Sequence, residues 1–235
     1  MKILTASLKH LIVQKLRISN KQAIAYITSG RVQVNGEKGQ VQQALQPADK
    51  VTFGAQVLKE PQAFIYLAYY KPRGIESTLN TNIQNNLAAA LHVEHPVFPV
   101  GRLDKDSEGL MLLTNNGNIY DKIIHAKSHQ EKEYLVTVNK PLTPEALAQL
   151  SEGVIIMGQK TRPAQVQQIS ATTFRIILTQ GLNRQIRRMC YKLGYQVQQL
   201  VRLRMVNLEL GLLKPGEWRY LSSQEIQELN QIIFN

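Results

Sequence analysis

Apolar positions three and four apart open the chain: in SLKHLIVQKLRIS, Leu8, Leu11, Ile12 and Leu16 fall on one face of a predicted helix. SNKQAIAYITSG predicts a second short helix. Ser19 is placed to cap it, with Gln22 three residues on for a capping box, and Gly30 to close it in a left-handed conformation. RVQVNG then changes period, alternating Val32 and Val34 as a strand before an Asn35-Gly36 turn, and VTF at 51–53 predicts another strand. After Pro61 the run FIYLAYY is rich in aromatic and branched residues and predicts a longer strand. VFPV and LMLLT read as short buried strands and HQEKEYLVTV as a further strand. NNGNIYDKIIHA reads as a helix with Ile119, Ile123 and Ile124 inward. TQGLNRQIRRMCYKLGY predicts a helix over 179–195. Ile186, Met189, Cys190 and Leu193 lie along one arc, with Arg184, Arg187, Arg188 and Tyr191 on the other. The pattern predicts a small module at 1–58, a linker near 58–63 and a larger module at 63–235.

Charge changes the picture. The 235 residues carry a formal net charge of +11 and are 43% hydrophobic, so the chain is neither wholly disordered nor neutral. Residues 1–60 hold nine Lys/Arg against three Asp/Glu and residues 181–235 eight against four, while 61–180 are nearly balanced. Two basic ends attract polyanions, nucleic acid among them. The single Cys190 forms no internal disulfide, no stretch approaches the roughly 18 apolar residues of a membrane span, and the N-terminus lacks the apolar block and cleavage site of a secretion signal. A soluble cytoplasmic protein with no membrane partner is expected.

Against that background GRLDKDSEG, 101–109, is anomalous: three acids beside Arg102, bracketed by glycines, on what reads as a tight crossover at strand ends. A hard cation needs about six oxygen ligands, and neither calcium-loop spacing nor a further carboxylate cluster is present, so no metal is expected. The spacing by itself leaves open a glycosidase carboxylate pair and a surface turn of no function. The arginine-rich helix reads either as a phosphate-binding face or as a solvated one.

Two resemblances narrow these alternatives. Residues 5–50, through Ser19, Lys21, Ala23, Ile27, Gly30, Val32, Val34, Asn35 and Gly36, resemble the S4 RNA-binding fold, with Ser7, His10 and Asn20 standing where that family usually carries basic residues. KPRGIEST, GRLDKDSEGLMLLTNNG, KEYLV, GLNRQIRRM and KPGEWRYL, in that order, resemble the RsuA/RluB/RluE/RluF family of ribosomal RNA pseudouridine synthases, most closely the branch acting on large-subunit (23S) RNA near the peptidyl-transferase centre. The resemblance implies an α+β chain: a small S4-like domain, then a catalytic domain with a mixed, largely antiparallel sheet flanked by helices. It implies isomerisation of a flipped uridine to pseudouridine with no cofactor. Asp104 would be the catalytic aspartate, as nucleophile or as base; Tyr134 the ring under the base; Arg187 the ion-pair partner of Asp104. Asp106 would shape the loop through helix and turn amides. Lys21, Arg31, Arg102, Arg184 and Arg188 would contact RNA. The expected partner is ribosomal RNA or an assembly intermediate, with transfer RNA as an alternative, bound by a monomer. A noncatalytic RNA-binding or ribosome-assembly protein, with Asp104 an ordinary turn residue, is the rival reading.

Overall fold

The computed structural model describes residues 7–124 and 129–234. These divide into two compact units, one running to Ile65 and including Asn115–Gly117, the other formed by Tyr66–Thr114 and the residues from Asn118 on.

In the first unit, helices α1 (Leu8–Leu16) and α2 (Asn20–Thr28) precede strands β1 (Val32–Val34), β2 (Glu37–Lys38), β3 (Val51–Phe53) and β4 (Gln56–Lys59), which form a sheet in the order β2-β1-β3-β4. The capping box is formed: Ser19 Oγ accepts from Gln22 N, and the Gln22 side chain accepts from Ser19 N. Leu8, Ile12, Ala23, Ile27, Val32 and Val51 are fully buried in one cluster, so the helical and alternating periodicities meet in a single core. Ser7 caps α1 by accepting from His10 N.

The second unit is built on a nine-stranded sheet. Its elements are β5 (Tyr66–Lys71), α3 (Leu87–Ala90), β6 (Phe98–Val100), β7 (Glu108–Thr114), α4 (Tyr120–Ile124), β8 (Lys132–Val138), α5 (Pro144–Glu152), β9 (Ile155–Ile156), β10 (Gln159–Lys160), β11 (Gln165–Gln168), β12 (Thr173–Leu178), α6 (Gln185–Lys192), β13 (Val197–Met205), β14 (Leu208–Glu209), β15 (Trp218–Tyr220) and α7 (Ser223–Phe234). The main path runs β11-β12-β8-β13-β7-β5-β15, with β14 on β13 and β6 on β7, and β9 and β10 forming a separate hairpin. Among the described strands of this sheet only the β13/β7 pair is parallel, so the sheet is mixed and largely antiparallel, as the resemblance implied. Val136, Phe174, Ile176, Ile186, Met189 and Leu200 belong to the core cluster that joins the central strands to α6.

Three expectations change. The acidic loop is not a crossover: β6 and β7 are antiparallel neighbours, and residues 101–107 connect them. Glu108 lies within β7, where it accepts from Tyr70 Oη and Gln199 Nε2. The arginine-rich helix begins at Gln185 rather than 179, because Arg184 takes a left-handed conformation (φ 50°) that ends the preceding loop. The helix read at 115–126 is a 3-10 turn, Gly117–Ile119, followed by α4; Ile119 and Ile123 are buried, and its last two residues lie outside those described.

Gly109 fixes the parallel junction. Its φ is +105°, and a Cβ placed there would lie 2.4 Å from the carbonyl oxygen and 2.6 Å from the nitrogen of Arg202. Backbone cannot yield as a side-chain tip can, and the positive φ adds strain of its own. Gly109→Ala is therefore expected to destabilise the protein by at least about 2 kcal/mol. Thermal or urea unfolding measures this, and an unchanged midpoint would contradict the close approach.

Candidate active site

A cavity of ≈ 620 Å³ opens in the second unit, and the acidic loop, β8, β13 and the segment before α6 all contribute to its walls. Arg102, Asp104, Tyr134 and Arg184 line it; Arg187 and Arg188 do not. Segments far apart along the chain thus share one space with the acidic loop.

Asp104 is held by its neighbours' backbone. Ser77 Oγ donates to the Leu103 carbonyl at 2.6 Å and accepts from Leu103 N at 3.1 Å, while Gly74 N donates to the Lys105 carbonyl at 2.8 Å. Within the loop Ser107 N donates to the Asp104 carbonyl. None of these bonds uses the Asp104 carboxylate, which is left 29% exposed to the cavity side of the loop.

The expected ion pair is reassigned. Arg184 Nη1 lies 3.7 Å from Asp104 Oδ2 and 3.6 Å from Asp106 Oδ2, so one guanidinium bridges both loop acids. Arg187 instead donates through Nη2 to the Asp106 carbonyl at 2.8 Å and to Ser107 Oγ at 3.3 Å, and through Nη1 to the Val197 carbonyl. It ties α6 to the loop and to β13. The reason is reach: Arg187 leaves the helix half-buried and meets backbone first, whereas Arg184, just before the helix, projects from a left-handed residue. Burial, then the charge of Arg184, lowers the pKa of Arg187, and Asp106 and Asp104 oppose that shift. Asp106, expected to bind amides, has the Arg184 guanidinium beside its carboxylate.

Tyr134 is placed by strand register. On β8 it stands opposite Ile176 of β12 and Arg202 of β13, and directly opposed residues of antiparallel strands share a sheet face. Lys132, two residues earlier, shares that face and also lines the cavity. Glu133 points the other way, where it pairs with Arg204 at 3.0 Å and Arg175 at 3.2 Å.

Sequence reasoning missed buried polar residues here: Ser77, Lys132 and Arg202 line the cavity, and Lys71 is buried beside Arg202. Lys71 is fully buried, donating to the carbonyls of Pro72 and Ile75, and burial lowers its pKa to about 8 although Glu76, Glu108 and Asp104 pull the other way. Burial, followed by the charge of Arg202, lowers the pKa of Lys132 to about 8 as well. Arg202 had a signal in the sequence, a charge inside the apolar run LVRLRM. Cys190 is buried on the inner side of α6, and its thiol is pushed up to about 12, chiefly by burial, which makes it inert.

In the first unit Arg31 stacks its guanidinium over Tyr26 at 4.8 Å and Phe53 at 4.7 Å, while Lys21 is exposed on α2. Arg188 is exposed and bonded to Asn183, through the backbone carbonyl and Oδ1. Among the described residues no helix is long and apolar enough to cross a membrane.

The family model for RNA pseudouridylate synthase matches residues 65–192, from the first strand of the large sheet through α6, and the chain belongs to that family. It is an enzyme of RsuA/RluF type that converts uridine in RNA to pseudouridine, which sets aside the noncatalytic reading. It is 42% identical over 219 residues to the dual-specificity RNA pseudouridine synthase RluF of Escherichia coli K12, covering 92% of this chain and 76% of that one. Ribosomal large subunit pseudouridine synthase B of Bacillus subtilis 168 is 31% identical over 227 residues, with 91% of each covered. A crystal structure of a pseudouridylate synthase superposes with a TM-score of 0.69 at 27% identity, over 95% of this chain and 99% of that one.

Proposed function

We propose that this enzyme isomerises one uridine of 23S ribosomal RNA near the peptidyl-transferase centre, with Asp104 doing the covalent chemistry and Tyr134 under the extruded base. The observation that carries the reading is the shared cavity: a loop carboxylate and a strand tyrosine, thirty positions apart, face one space lined by Arg102 and Arg184. The target must leave its stack to enter, at a cost of a few kcal/mol, which contacts to the flanking phosphates offset.

In the reaction the N1–C1′ bond breaks, the base turns, C5 bonds to C1′, the C5 proton departs and N1 takes up a proton, without net oxidation. Asp104 acts at C1′ as nucleophile or at the C2′ proton as base. Arg187 holds the loop that carries Asp104, and Arg184 supplies positive charge at the carboxylate. Arg102 and Arg188 bind the displaced strand.

Residues 1–58 form an S4-like RNA-binding domain in this proposal, and 63–235 the catalytic domain. Lys21 and Arg31 then contact phosphates, Arg31 from a position preset by its stacking on Tyr26 and Phe53. Replacing both with Ala in the full chain is expected to reduce the salt slope of RNA affinity by up to about two while leaving the single-turnover rate at saturating RNA unchanged. An unchanged slope would remove these contacts. The target itself is tested by mapping pseudouridines in unmodified ribosomal and transfer RNA after treatment with the protein; modification only of small-subunit or transfer RNA would overturn the 23S assignment.

A further inference from the structure

Arg202 is 2% exposed and lines the same cavity as Asp104 and Tyr134. Its Nε donates to the Leu110 carbonyl at 2.6 Å, anchoring the guanidinium to β7, and its register partner across β8 is Tyr134. The Nη2 group is not used: it is buried and has no hydrogen-bond partner among the described residues. No carboxylate among those residues pairs with Arg202 there, and its near neighbours include two further buried cations, Lys71 and Lys132. An isolated buried guanidinium with an unpaired N–H is costly, and its neighbours raise that cost. Such an arrangement persists where an oxygen acceptor completes it.

The acceptor the reaction brings to this wall is the uracil ring. When N1–C1′ breaks, the bonding pair stays on N1 and the base becomes a monoanion whose charge spreads onto O2 and O4. Asp104 compensates at the sugar, by bonding to C1′ or by taking the C2′ proton. The balance is restored when C5 bonds to C1′ as Asp104 leaves C1′ or returns the proton to C2′, and the C5 proton leaves while N1 takes up a proton. Resting on the function proposed above, we propose that Arg202 is a second catalytic residue, donating from Nη2 to a carbonyl oxygen of the extruded uracil and stabilising the detached base as its negative charge develops. A fixed donor aimed at developing charge in a water-poor site is typically worth about 10²–10³ in rate. Arg202 thereby acts on the base while Asp104 acts on the sugar, and Tyr134, beside it in register, supports the ring from below.

The test crosses enzyme variants with substrate oxygens. Arg202→Lys keeps the charge and stem but loses the fork, and Arg202→Gln keeps an N–H donor without the charge; thermal unfolding checks that each is folded. Single-turnover rates are measured on RNA carrying uridine, 2-thiouridine or 4-thiouridine at the target, sulfur being a poor hydrogen-bond acceptor. The variants should lose about 100-fold on uridine. One of the two thio substitutions should slow the wild type at least about fivefold more than it slows Arg202→Lys, which identifies the oxygen held. Equal thio effects in wild type and variants would make Arg202 purely structural and overturn the proposal. Wild-type protein that processes both thio substrates at the uridine rate would overturn it without any variant. Wild-type protein that makes no pseudouridine would instead defeat the parent reading, so the two failures are separable.

Discussion

Asp104→Asn is expected to lower pseudouridine formation by at least about 10³-fold while leaving RNA affinity within about tenfold of wild type. The change removes the carboxylate proposed as nucleophile or base but keeps its size. The loop should not move, since its bonds run from Ser77 to Leu103, from Gly74 to Lys105 and from Arg187 to Asp106, all to backbone. The substitution removes a partly exposed 3.7 Å ion pair with Arg184, worth at most about 1 kcal/mol. Pseudouridine formation on unmodified ribosomal RNA, with affinity measured separately, reads both quantities. Wild-type rates in the variant would sink the catalytic assignment.

Arg187→Ala is expected to cost about 100-fold in single-turnover rate at saturating RNA, and Arg188→Ala less than about threefold. Arg187 is half-buried and joins the Asp106 and Val197 carbonyls and Ser107 Oγ, so its removal unties the loop that holds Asp104 and leaves acceptors unpaired. A displacement of about 1 Å in that loop is enough for a loss of this size. Arg188 bonds to Asn183, one turn away on the surface, and its loss should appear in affinity. Equal rate losses in the two variants would remove the positioning role of Arg187.

Local signals were legible in the amino-acid order alone. The Ser19 and Gln22 box, the Asn35-Gly36 turn, the KEYLVTV strand and the inner arc of Ile186, Met189 and Cys190 each depend on residues within a few positions of one another, and each formed as read. The sheet class and the family were readable too, through five motifs in a fixed order. Tertiary structure decided the rest, because it depends on register and reach between distant segments. The strand pairing of Tyr134 with Arg202 joins positions 68 apart, and only that pairing shows that a charge in LVRLRM faces the cavity rather than solvent. The glycine at 109 looked like a loop boundary, yet its role comes from the backbone of Arg202 against it. Whether Arg184 or Arg187 meets the Asp104 carboxylate turned on where α6 begins, one left-handed residue that periodicity does not reveal. Sequence order determined the local elements and the family motifs, and the closure of the sheet around them determined which side chains touch.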